Sequence, residues 1–600
     1  MSRPIVKRSE VAVEDTWDLS VLFASDDAWN DEYEALMKYP GLIAAFSGRL
    51  GNGAKELLDC WKLNDEVTVR LMKLYTYANC RSDEDTGNNF YQDLRGKAVG
   101  VLVAINSASA FMTPEIMAID DAVLDGFYAE CPVLEEYRRS ISKIRSKKAH
   151  ILSNAEESLL ASAGEMADTP DRIGSVFRDA DLTFPDVVDS EGNSHQLTDG
   201  TLVPMLMSPD RVLRQNTFET YYKRLGEFRN TIAATLDSQF KQLRFFSGAR
   251  KYATTLEASL DATEVPVDVY HNLIDAVHVN LDKMYRYVSL RKKLLGVDEL
   301  HMYDVYTPIV ADVDKEISFE QAKETALDAL KVLGEDYVEL LKTGFRDRWI
   351  DVYENVGKRG GAYSTGSLRP HPFVLLNHKD NLDSQFTLVH EMGHAIHSYL
   401  SCSNQPVNTS DYVIFVAEVA STCNEVLLMR YLLEKASDKQ EKIYIINHFL
   451  DAFKGTLYRQ TMFAEFELEM GKMSEAGQTL TSDALCEKYH ALNKLYFGPD
   501  MISDDGIALE WARIPHFFYN YYVFQYATGF SAAVALANRI LTEGAPAVRD
   551  YKKFLSGGCS TDPISLLKIA GVDMSTPAPV NDALKLFGEL VDELERLTAE

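Results

Sequence analysis

The chain has 600 residues, of which 46% are hydrophobic and 25% are charged, and its formal net charge at pH 7 is −29. These fractions are typical of a soluble globular protein that is long enough to bury a large core and to form more than one domain. Because nucleic-acid-binding surfaces are basic, the acidity argues against that class of protein, and we expect no nucleic acid among the partners.

The cysteines and the N-terminal segment indicate a compartment. Seven cysteines are scattered along the chain without a C-x-x-C pair, which is typical of reduced thiols in a cytosolic protein. Residues 1–18 lack the apolar segment of a secretory signal. No stretch approaches eighteen consecutive apolar residues. We therefore expect a cytoplasmic protein without a membrane partner, and the sequence leaves the oligomeric state open.

Helical periodicity dominates the first third of the chain. It is clearest in residues 31–47, 54–78 and 153–164. The pattern in residues 182–197 then predicts two short strands joined by a turn at Gly192. We predict an N-terminal helical region over residues 1–200 that ends in this β-hairpin, and a second domain over residues 201–600.

A glycine-rich segment lies between two predicted strands at residues 349–353 and 372–376. Glycine allows close backbone approach, and an exposed strand edge can bind an extended peptide as an additional strand. Gly361, Ala362 and Tyr363 are therefore candidate substrate-binding residues. The alternative interpretation is an ordinary hairpin turn.

The run His390-Glu391-Met392-Gly393-His394 has the pattern H-E-x-x-H. In a helix, residues four apart lie on one face, so both imidazoles can converge on one tetrahedral Zn²⁺. Glu391 lies beside them, where it can act on a metal-bound water without binding the metal. The alternative is a core helix with two hydrogen-bonded histidines.

A catalytic zinc site usually has a third protein ligand. His397 lies about 10 Å along the helix axis from His390, too far for the same tetrahedron, and is either a supporting or a surface histidine. Residues 411–436 have a helical pattern in which Glu418 and Glu425 share one face. Burying a carboxylate is costly unless it is paired or binds a metal. We predict Glu418 as the ligand, and Glu425 or Asp411 as the group that orients a histidine.

The segment over residues 511–530 reads WARIPHFFYNYYVFQYATGF. It places His516 before Tyr519, Tyr522 and Tyr526. An imidazole and phenols near a zinc site suggest groups that stabilise an oxyanion. The alternative is an aromatic core helix, because these tyrosines fall at helical spacing.

Several segments together resemble a known family. H-E-x-x-H is followed by FVAEVAST at residues 415–422, and further matches lie at residues 14–20, 358–363 and 514–517. The chain resembles the oligoendopeptidase F family over almost its whole length. That family is related to thimet oligopeptidase and neurolysin. The two zinc motifs are specific together, whereas the other matches are weaker alone.

The resemblance implies a mainly α fold of two helical halves around a deep substrate channel, with a small β-sheet beside the H-E-x-x-H helix. It makes Glu418 the third zinc ligand and residues 201–600 a catalytic zinc metallopeptidase domain. It also implies that His516 and Tyr522 stabilise the tetrahedral intermediate, that Tyr519 and Tyr526 bind substrate, and that the glycine-rich edge holds the peptide backbone.

We therefore expect an endopeptidase that uses one zinc ion per chain to hydrolyse internal bonds of short oligopeptides, with Glu391 as general base. Two alternatives come from other classes of protein. One is a zinc carboxypeptidase of similar helical fold, and the other is a non-catalytic peptide-binding helical protein.

Overall fold

The computed structural model describes residues 4–310, 316–366 and 368–599. The chain folds into two compact units. Unit 1 comprises Met1–Ala149, Asp314–Tyr431 and Leu536–Val572, and unit 2 comprises His150–Val313, Leu432–Ala535 and Asp573–Glu600. Each unit is therefore assembled from separate stretches of sequence. The predicted division at residue 200 stays a prediction.

Helices make up most of the described residues, which confirms the predicted mainly α class. In chain order they are α1 Asp26–Leu36, α2 Tyr39–Ala44, α3 Ala54–Glu84, α4 Asn89–Ser109, α5 Met112–Ala118, α6 Asp121–Glu130, α7 Arg138–Ser146, α8 Asn154–Ala167, α9 Thr169–Val176, α10 Asp199–Leu206, α11 Arg211–Gly226, α12 Arg229–Ala249, α13 Thr255–Asp261, α14 Val267–Val279, α15 Leu281–Leu295, α16 Phe319–Ala329, α17 Glu335–Arg346, α18 Leu382–Asn404, α19 Ile414–Lys435, α20 Lys439–Ala452, α21 Arg459–Glu475, α22 Ser482–Phe497, α23 Phe524–Glu543, α24 Ala545–Leu555, α25 Pro563–Ile569 and α26 Ala578–Ala599.

The strands are short and form small separate sheets. They are β1 Val187–Val188, β2 Ser194–His195, β3 Leu300–His301, β4 Ile350–Asp351, β5 Tyr363–Thr365, β6 Phe373–Leu375 and β7 Met501–Ile502. β1 and β2 form an antiparallel pair inside the segment where a hairpin is predicted. β3 and β7 pair in parallel.

The sheet that matters for the site has the order β4-β6-β5. β6 pairs in parallel with β4 and antiparallel with β5, with Ser364 opposite Val374. β6 is fully buried, and both β5 and β6 pack on α18. The predicted small sheet beside the H-E-x-x-H helix is thus confirmed, and β5 is one of its two outer strands.

A buried ion pair network ties the N-terminal segment to this sheet. Asp351 at the end of β4 accepts a hydrogen bond from Arg8 at 2.9 Å, and the ammonium group of Lys358 lies 2.7 Å from it. The side chains of Asp351 and Lys358 are almost completely buried, and burial lowers the pKa of Lys358. A buried charge is tolerated when it is paired in this way.

α4 and α5 form an apolar stretch, Asn89–Ala118, that is long enough to cross a membrane by length and composition. Only 22% of its most apolar part is buried. On its buried side, Leu94, Ala98 and Val101 join a core cluster that contains Trp29. Core helices of soluble proteins can have the same length and composition, so this stretch does not by itself indicate a membrane span. The absence of a membrane partner stays a prediction.

In unit 2 a buried network holds the short helical segment Asp505–Arg513. Glu510 accepts hydrogen bonds from Arg459 at 2.7 Å, from Arg513 at 2.8 Å and from the phenol of Tyr489 at 2.6 Å. Burial alone would raise the pKa of Glu510, but the charges of the two arginines outweigh it and lower the pKa to about 2. The chain is thereby anchored just before residue 516.

Candidate active site

α18 carries both histidines of the H-E-x-x-H run. The helix begins after Asn381, whose side chain accepts a hydrogen bond from the backbone N–H of Ser384 at 2.9 Å. Asp383 and Ser384, which are also good capping residues by type, therefore lie in the first turn of the helix. His390 and His394 follow one turn apart, with ring centroids 4.8 Å from each other.

Gly393 brings α18 and α19 together. A Cβ atom on Gly393 would lie 2.6 Å from the Cα atom of Ser421 and 3.0 Å from the carbonyl oxygen of Ala420. Only glycine allows this approach of the two backbones. Glu418 lies one turn before Ser421, and the hydroxyl of Ser421 donates to its Oε2 at 3.2 Å. The close contact therefore places a carboxylate from α19 beside the histidines of α18.

The three candidate ligand atoms have the spacing of a metal site. The Nε2 atoms of His390 and His394 are 3.1 Å apart, and each lies 3.4 Å from Oε2 of Glu418. Ligands at the corners of a tetrahedron around zinc, about 2.0–2.1 Å from the ion, are about 3.3 Å from each other. The three side chains are partly exposed, at 25%, 17% and 32%. The donor set therefore fits a divalent metal with a fourth position open to solvent.

Glu425 contacts the opposite side of one histidine. Its Oε1 lies 3.2 Å from Nδ1 of His390, so it can accept the Nδ1–H and leave Nε2 facing Glu418. Burial lowers the pKa of His390, but the charge of Glu425 and the hydrogen bonds to both glutamates outweigh it and raise the pKa well above its ordinary value. Asp411, the other candidate for this role, instead accepts the backbone N–H of Tyr412.

Glu391 is buried between the two histidines, with 7% of its surface exposed. Burial raises its pKa, and the positive charges of His390 and His394 reduce the shift without reversing it. Its buried Oε2 accepts no hydrogen bond from the described part of the chain. A buried carboxylate with a raised pKa accepts a proton more readily than an exposed one and is a candidate for proton transfer.

His397 lies outside the group of metal-binding candidates. Its ring is completely buried and stacks on Tyr412, with centroids 3.8 Å apart. Burial, assisted by the charge of His394, lowers its pKa to about 3. The interpretation of His397 as a surface histidine is therefore wrong, whereas its exclusion from the ligand set agrees with the structure.

The glycine-rich segment leads into the edge strand β5. Gly361 has a φ of +82°, a left-handed conformation that favours glycine. The side-chain amide of Asn377 donates to its carbonyl at 2.7 Å. The phenol of Tyr363 donates to Asp83 at 2.7 Å, so this ring is held away from the strand edge and only the backbone of Tyr363 can pair there.

Gly361 and Ala362 also line a cavity of about 370 Å³. Thr387 and Asp383, from the first turns of α18, line the same cavity. The structure thus brings the glycine-rich segment beside the helix that carries the histidines.

His516 and the three candidate tyrosines gather in unit 2. The centroid of the His516 ring lies 5.6 Å from Tyr519, 6.3 Å from Tyr522 and 6.0 Å from Tyr526. All four side chains are at least partly exposed. α23 begins only at Phe524, so Tyr519 and Tyr522 lie in the preceding loop. The aromatic-helix alternative is therefore wrong for these two residues.

The loop between Tyr519 and Tyr522 contains two residues with strained backbone. Asn520 and Tyr521 have φ values of +54° and +61°, which are uncommon for residues with side chains. The ring of Tyr521 is buried, and its hydroxyl is 2.8 Å from the hydroxyl of Thr255. The buried Tyr521 therefore points away from the exposed tyrosines on either side of it.

Two buried side chains hold this loop, and the sequence analysis missed both. Glu467 on α21 accepts the backbone N–H of Tyr521 at 2.9 Å. Gln239 on α12 donates to the carbonyl oxygen of Phe518 at 2.9 Å and to the side chain of Asn520 at 3.0 Å. Strained backbone of this kind persists when its surroundings fix it, and it is frequent at functional sites.

Two family models match the chain. Peptidase family M3 matches residues 204–586, and Oligopeptidase F matches residues 115–184. Oligopeptidase PepF from Bacillus subtilis (strain 168) is 46% identical over 590 residues, which cover 98% of this chain and 88% of that protein. The match extends over the whole region that contains the histidines, the glutamates and the tyrosines.

Two crystal structures are also similar. That of a Chlamydophila abortus protein has a TM-score of 0.92 at 33% identity and covers 99% of this chain and 100% of the other. That of oligoendopeptidase-F from Enterococcus faecium has a TM-score of 0.76 at 38% identity and covers 96% of this chain and 99% of the other. The resemblance found in the motifs is thus confirmed, and the chain belongs to peptidase family M3, in its oligoendopeptidase F branch, as a metalloendopeptidase.

Proposed function

We propose that this metalloendopeptidase hydrolyses internal bonds of short peptides and that His390, His394 and Glu418 hold one zinc ion per chain. The observation that carries the proposal is the spacing of 3.1, 3.4 and 3.4 Å among their donor atoms. Two imidazoles, a carboxylate and an open position are the donor set of many catalytic zinc sites. When bound, the ion polarises the scissile carbonyl and lowers the pKa of a coordinated water.

Glu391 acts as the general base in this proposal. One of its carboxylate oxygens takes the proton of the attacking water and then passes it to the nitrogen of the leaving amine. Burial raises the pKa of Glu391, which supports this role because the carboxylate then accepts a proton from water more readily than an exposed glutamate does. Its position next to His390 in sequence places it beside the metal ligands.

His516 and Tyr522 are assigned to the oxyanion. They donate hydrogen bonds to the carbonyl oxygen as negative charge develops on it. Burial lowers the pKa of His516, and the charge of Arg178 lowers it further. A neutral imidazole still carries one N–H donor. Tyr519 and Tyr526, on either side of Tyr522, then contact the bound peptide.

The edge strand β5 is assigned to the peptide backbone. Gly361, Ala362 and Tyr363 offer backbone N–H and carbonyl groups along an edge where an extended peptide can add as a further strand. The phenol of Tyr363 takes no part, since it is bound to Asp83. Binding through the backbone tolerates many peptide sequences.

The remaining properties are proposals of the same kind. All seven cysteines are free thiols, which supports a reducing compartment, and we assign the protein to the cytoplasm. The net charge of −29 supports the absence of nucleic acid among its partners. Short peptides are then the partners that the site requires.

Digestion of a synthetic peptide library tests the function directly. Each peptide is prepared in two forms, one blocked at both ends and one with a free C-terminus, and mass spectrometry locates each cut. We expect internal cleavage that a chelator abolishes and added zinc restores. Cleavage restricted to peptides with a free C-terminus would favour a carboxypeptidase instead, and cleavage that persists after complete removal of metal would contradict the proposal.

A further inference from the structure

A cavity of about 510 Å³ lies within unit 2. Its volume falls within the range of ligand pockets, roughly 300–1,000 Å³. α9 and the turn after it form one wall, and side chains of α11 and α12 form others. The roles proposed above leave this space, here called the α9 cavity, without a function.

The α9 cavity borders the segment that carries His516. Phe518, two residues later, is one of its lining residues. The ring of Phe518 lies 3.2 Å from the point that a Cβ atom on Gly174 would occupy, so α9 packs directly on this ring. Arg178 also lines the cavity, and its charge acts on His516. His516 does not itself line the cavity, but Phe518 and Arg178 connect the cavity to the segment where a peptide would bind at His516.

The walls of the α9 cavity are largely apolar. Ile173 and Val176 lie on α9 and leave 50% and 52% of their surface exposed. Phe177, Leu225 and Ile232 contribute further apolar surface. Exposed apolar side chains that cluster around a cavity mark a binding site, because their exposure to water is unfavourable until a ligand covers them. The lining favours an apolar ligand group.

The charged residues that line the cavity indicate which apolar group would bind there. Arg178 donates to Asp179 at 3.2 Å, and Arg513 is bound to the buried Glu510. A carboxylate that entered the cavity would lose its water without gaining an unpaired cation from these two residues. Arg172 and Asp181, which also line the cavity, are both exposed, so water screens their charges. An aromatic ring, in contrast, gains apolar contact and can stack on a planar guanidinium.

The cavity walls come from two differently matched parts of the chain. α9 lies within the segment 115–184 that the Oligopeptidase F model matches, whereas α11, α12 and Phe518 lie within the M3 match. The shape of the cavity therefore depends on both parts. A subsite built in this way can give the oligoendopeptidase F branch a side-chain preference of its own.

We propose that the α9 cavity is a substrate subsite that accepts an aromatic side chain of the peptide bound beside His516. The inference rests on the proposed role of His516 at the oxyanion, which would place the scissile bond of the peptide next to this residue. It deepens the proposed function by naming a class of side chain that the enzyme selects.

Filling the cavity tests this subsite. Thr235 on α12 lines it, whereas the neighbouring Ala234 does not and is exposed. Thr235→Trp therefore fills the cavity, and Ala234→Trp is the matched control in solvent. Internally quenched peptides, blocked at both ends, carry Phe or Ala at each central position in turn. We expect the wild type to prefer Phe at one position by about tenfold or more in kcat/KM, Thr235→Trp to remove this preference, and Ala234→Trp to retain it.

A second variant guards against a simple folding defect. Ile232→Ala enlarges the cavity, and we expect it to raise kcat/KM for a Trp peptide relative to the Phe peptide. Thermal unfolding and zinc content of every variant should match the wild type within error. A Phe preference that survives in Thr235→Trp, or a wild-type preference for Glu over Phe at that position, would overturn the subsite.

His516→Ala separates the two proposals. It should lower kcat on the Phe and the Ala peptide by a similar factor, about 10²–10³. If it leaves kcat unchanged, the role of His516 fails, while the ratio measured with Thr235→Trp still reports whether the cavity selects the side chain.

Discussion

Two glutamates on one face of α19 contact different nitrogens of the same imidazole. Glu418 lies 3.4 Å from Nε2 of His390, and Glu425 lies 3.2 Å from Nδ1. The first contact places an oxygen where a metal ligand belongs, and the second orients the ring from behind. Both residues are glutamates on the same face of α19, but they contact different nitrogen atoms of His390.

Metal content distinguishes the two glutamates. We expect Glu418→Ala to lose zinc, because only the two imidazoles remain. Glu425→Ala should keep zinc with an affinity lower by about 10–100-fold, since the ligands stay but His390 loses its orientation. Elemental analysis after dialysis against buffered zinc measures both. The reverse order of zinc loss would move the ligand to Glu425.

We expect Glu391 to affect turnover rather than metal binding. Glu391→Gln preserves the shape of the side chain but removes the proton acceptor, so we expect full zinc content and a kcat lower by about 10²–10⁴. Assays with a doubly blocked peptide, together with elemental analysis, measure the two quantities. Near-normal kcat in this variant would refute the assignment of the general base.

At the scale of elements, the contact between α18 and α19 sets the distance between the ligands. We expect Gly393→Ala to force the helices apart at Ser421, to lower stability by about 1–3 kcal/mol and to weaken zinc binding. Gly126→Ala is the matched control, because Gly126 lies inside α6 and a Cβ atom there meets nothing within 4 Å. The control should be neutral or more stable by up to about 1 kcal/mol. Equal effects of both changes would contradict the packing argument.

The loop that carries Tyr522 depends on an acceptor buried in α21. Glu467→Leu removes the acceptor of the Tyr521 N–H, so we expect a lower kcat with little change in zinc content. Glu467→Gln retains an oxygen that can accept this bond and should keep most of the activity. Loss of kcat to the same extent in both variants would show that hydrogen bonding at this position is not what holds the loop.

Glu467 also makes the stability of the folded protein depend on pH. Burial raises the pKa of Glu467 from 4.5 to about 8. Between pH 5 and 8 the unfolded chain has lost this proton whereas the folded chain retains it, so the folded state is progressively destabilised as the pH rises. Glu467→Gln cannot titrate. The Tm of the wild type should therefore fall relative to that of Glu467→Gln over this range, and a constant difference would contradict the raised pKa.

At the scale of the whole molecule, local spacing accounts for the grouping of His390, His394 and Glu418, which lie together in the structure. Their roles as metal ligands stay predictions. The histidines are four residues apart and the two glutamates seven apart, and helical spacing alone places each pair on one face. Gln239 and Glu467 have no such local signal. They lie 279 residues from Phe518 and 54 residues from Tyr521, so only the tertiary fold brings them to the loop.

Helix boundaries were less predictable, because tertiary contacts also decide which residue caps a helix. Asn381, Asp383 and Ser384 are all good capping residues, and the sequence alone does not choose among them. In the structure the hydroxyl of Ser384 accepts the backbone N–H of Lys379 at 2.9 Å, and Asn381 caps the helix instead. The positive φ values at Asn520 and Tyr521 were likewise outside the reach of spacing rules.

The last segment of unit 1, Leu536–Val572, is synthesised more than 100 residues after α18 and packs against that helix. The side chain of Gln405 donates to the carbonyl of Ser556 at 2.8 Å, and the ring of His397 contacts Phe554. We expect a nascent chain arrested on the ribosome before residue 536 to bind no zinc, whereas one arrested well beyond residue 572 should bind it. Zinc retained by the shorter arrested chain would contradict this dependence.

If zinc binding requires residues 536–572, proteolytic activity can begin only after this segment has been synthesised. Roughly 150 residues separate the last ligand from the end of the closing segment, which at about 5–20 residues per second corresponds to a lag on the order of ten seconds. Throughout that interval the emerging polypeptide would carry the three candidate ligands without the contacts that Phe554 and Ser556 make with α18 and the residue after it.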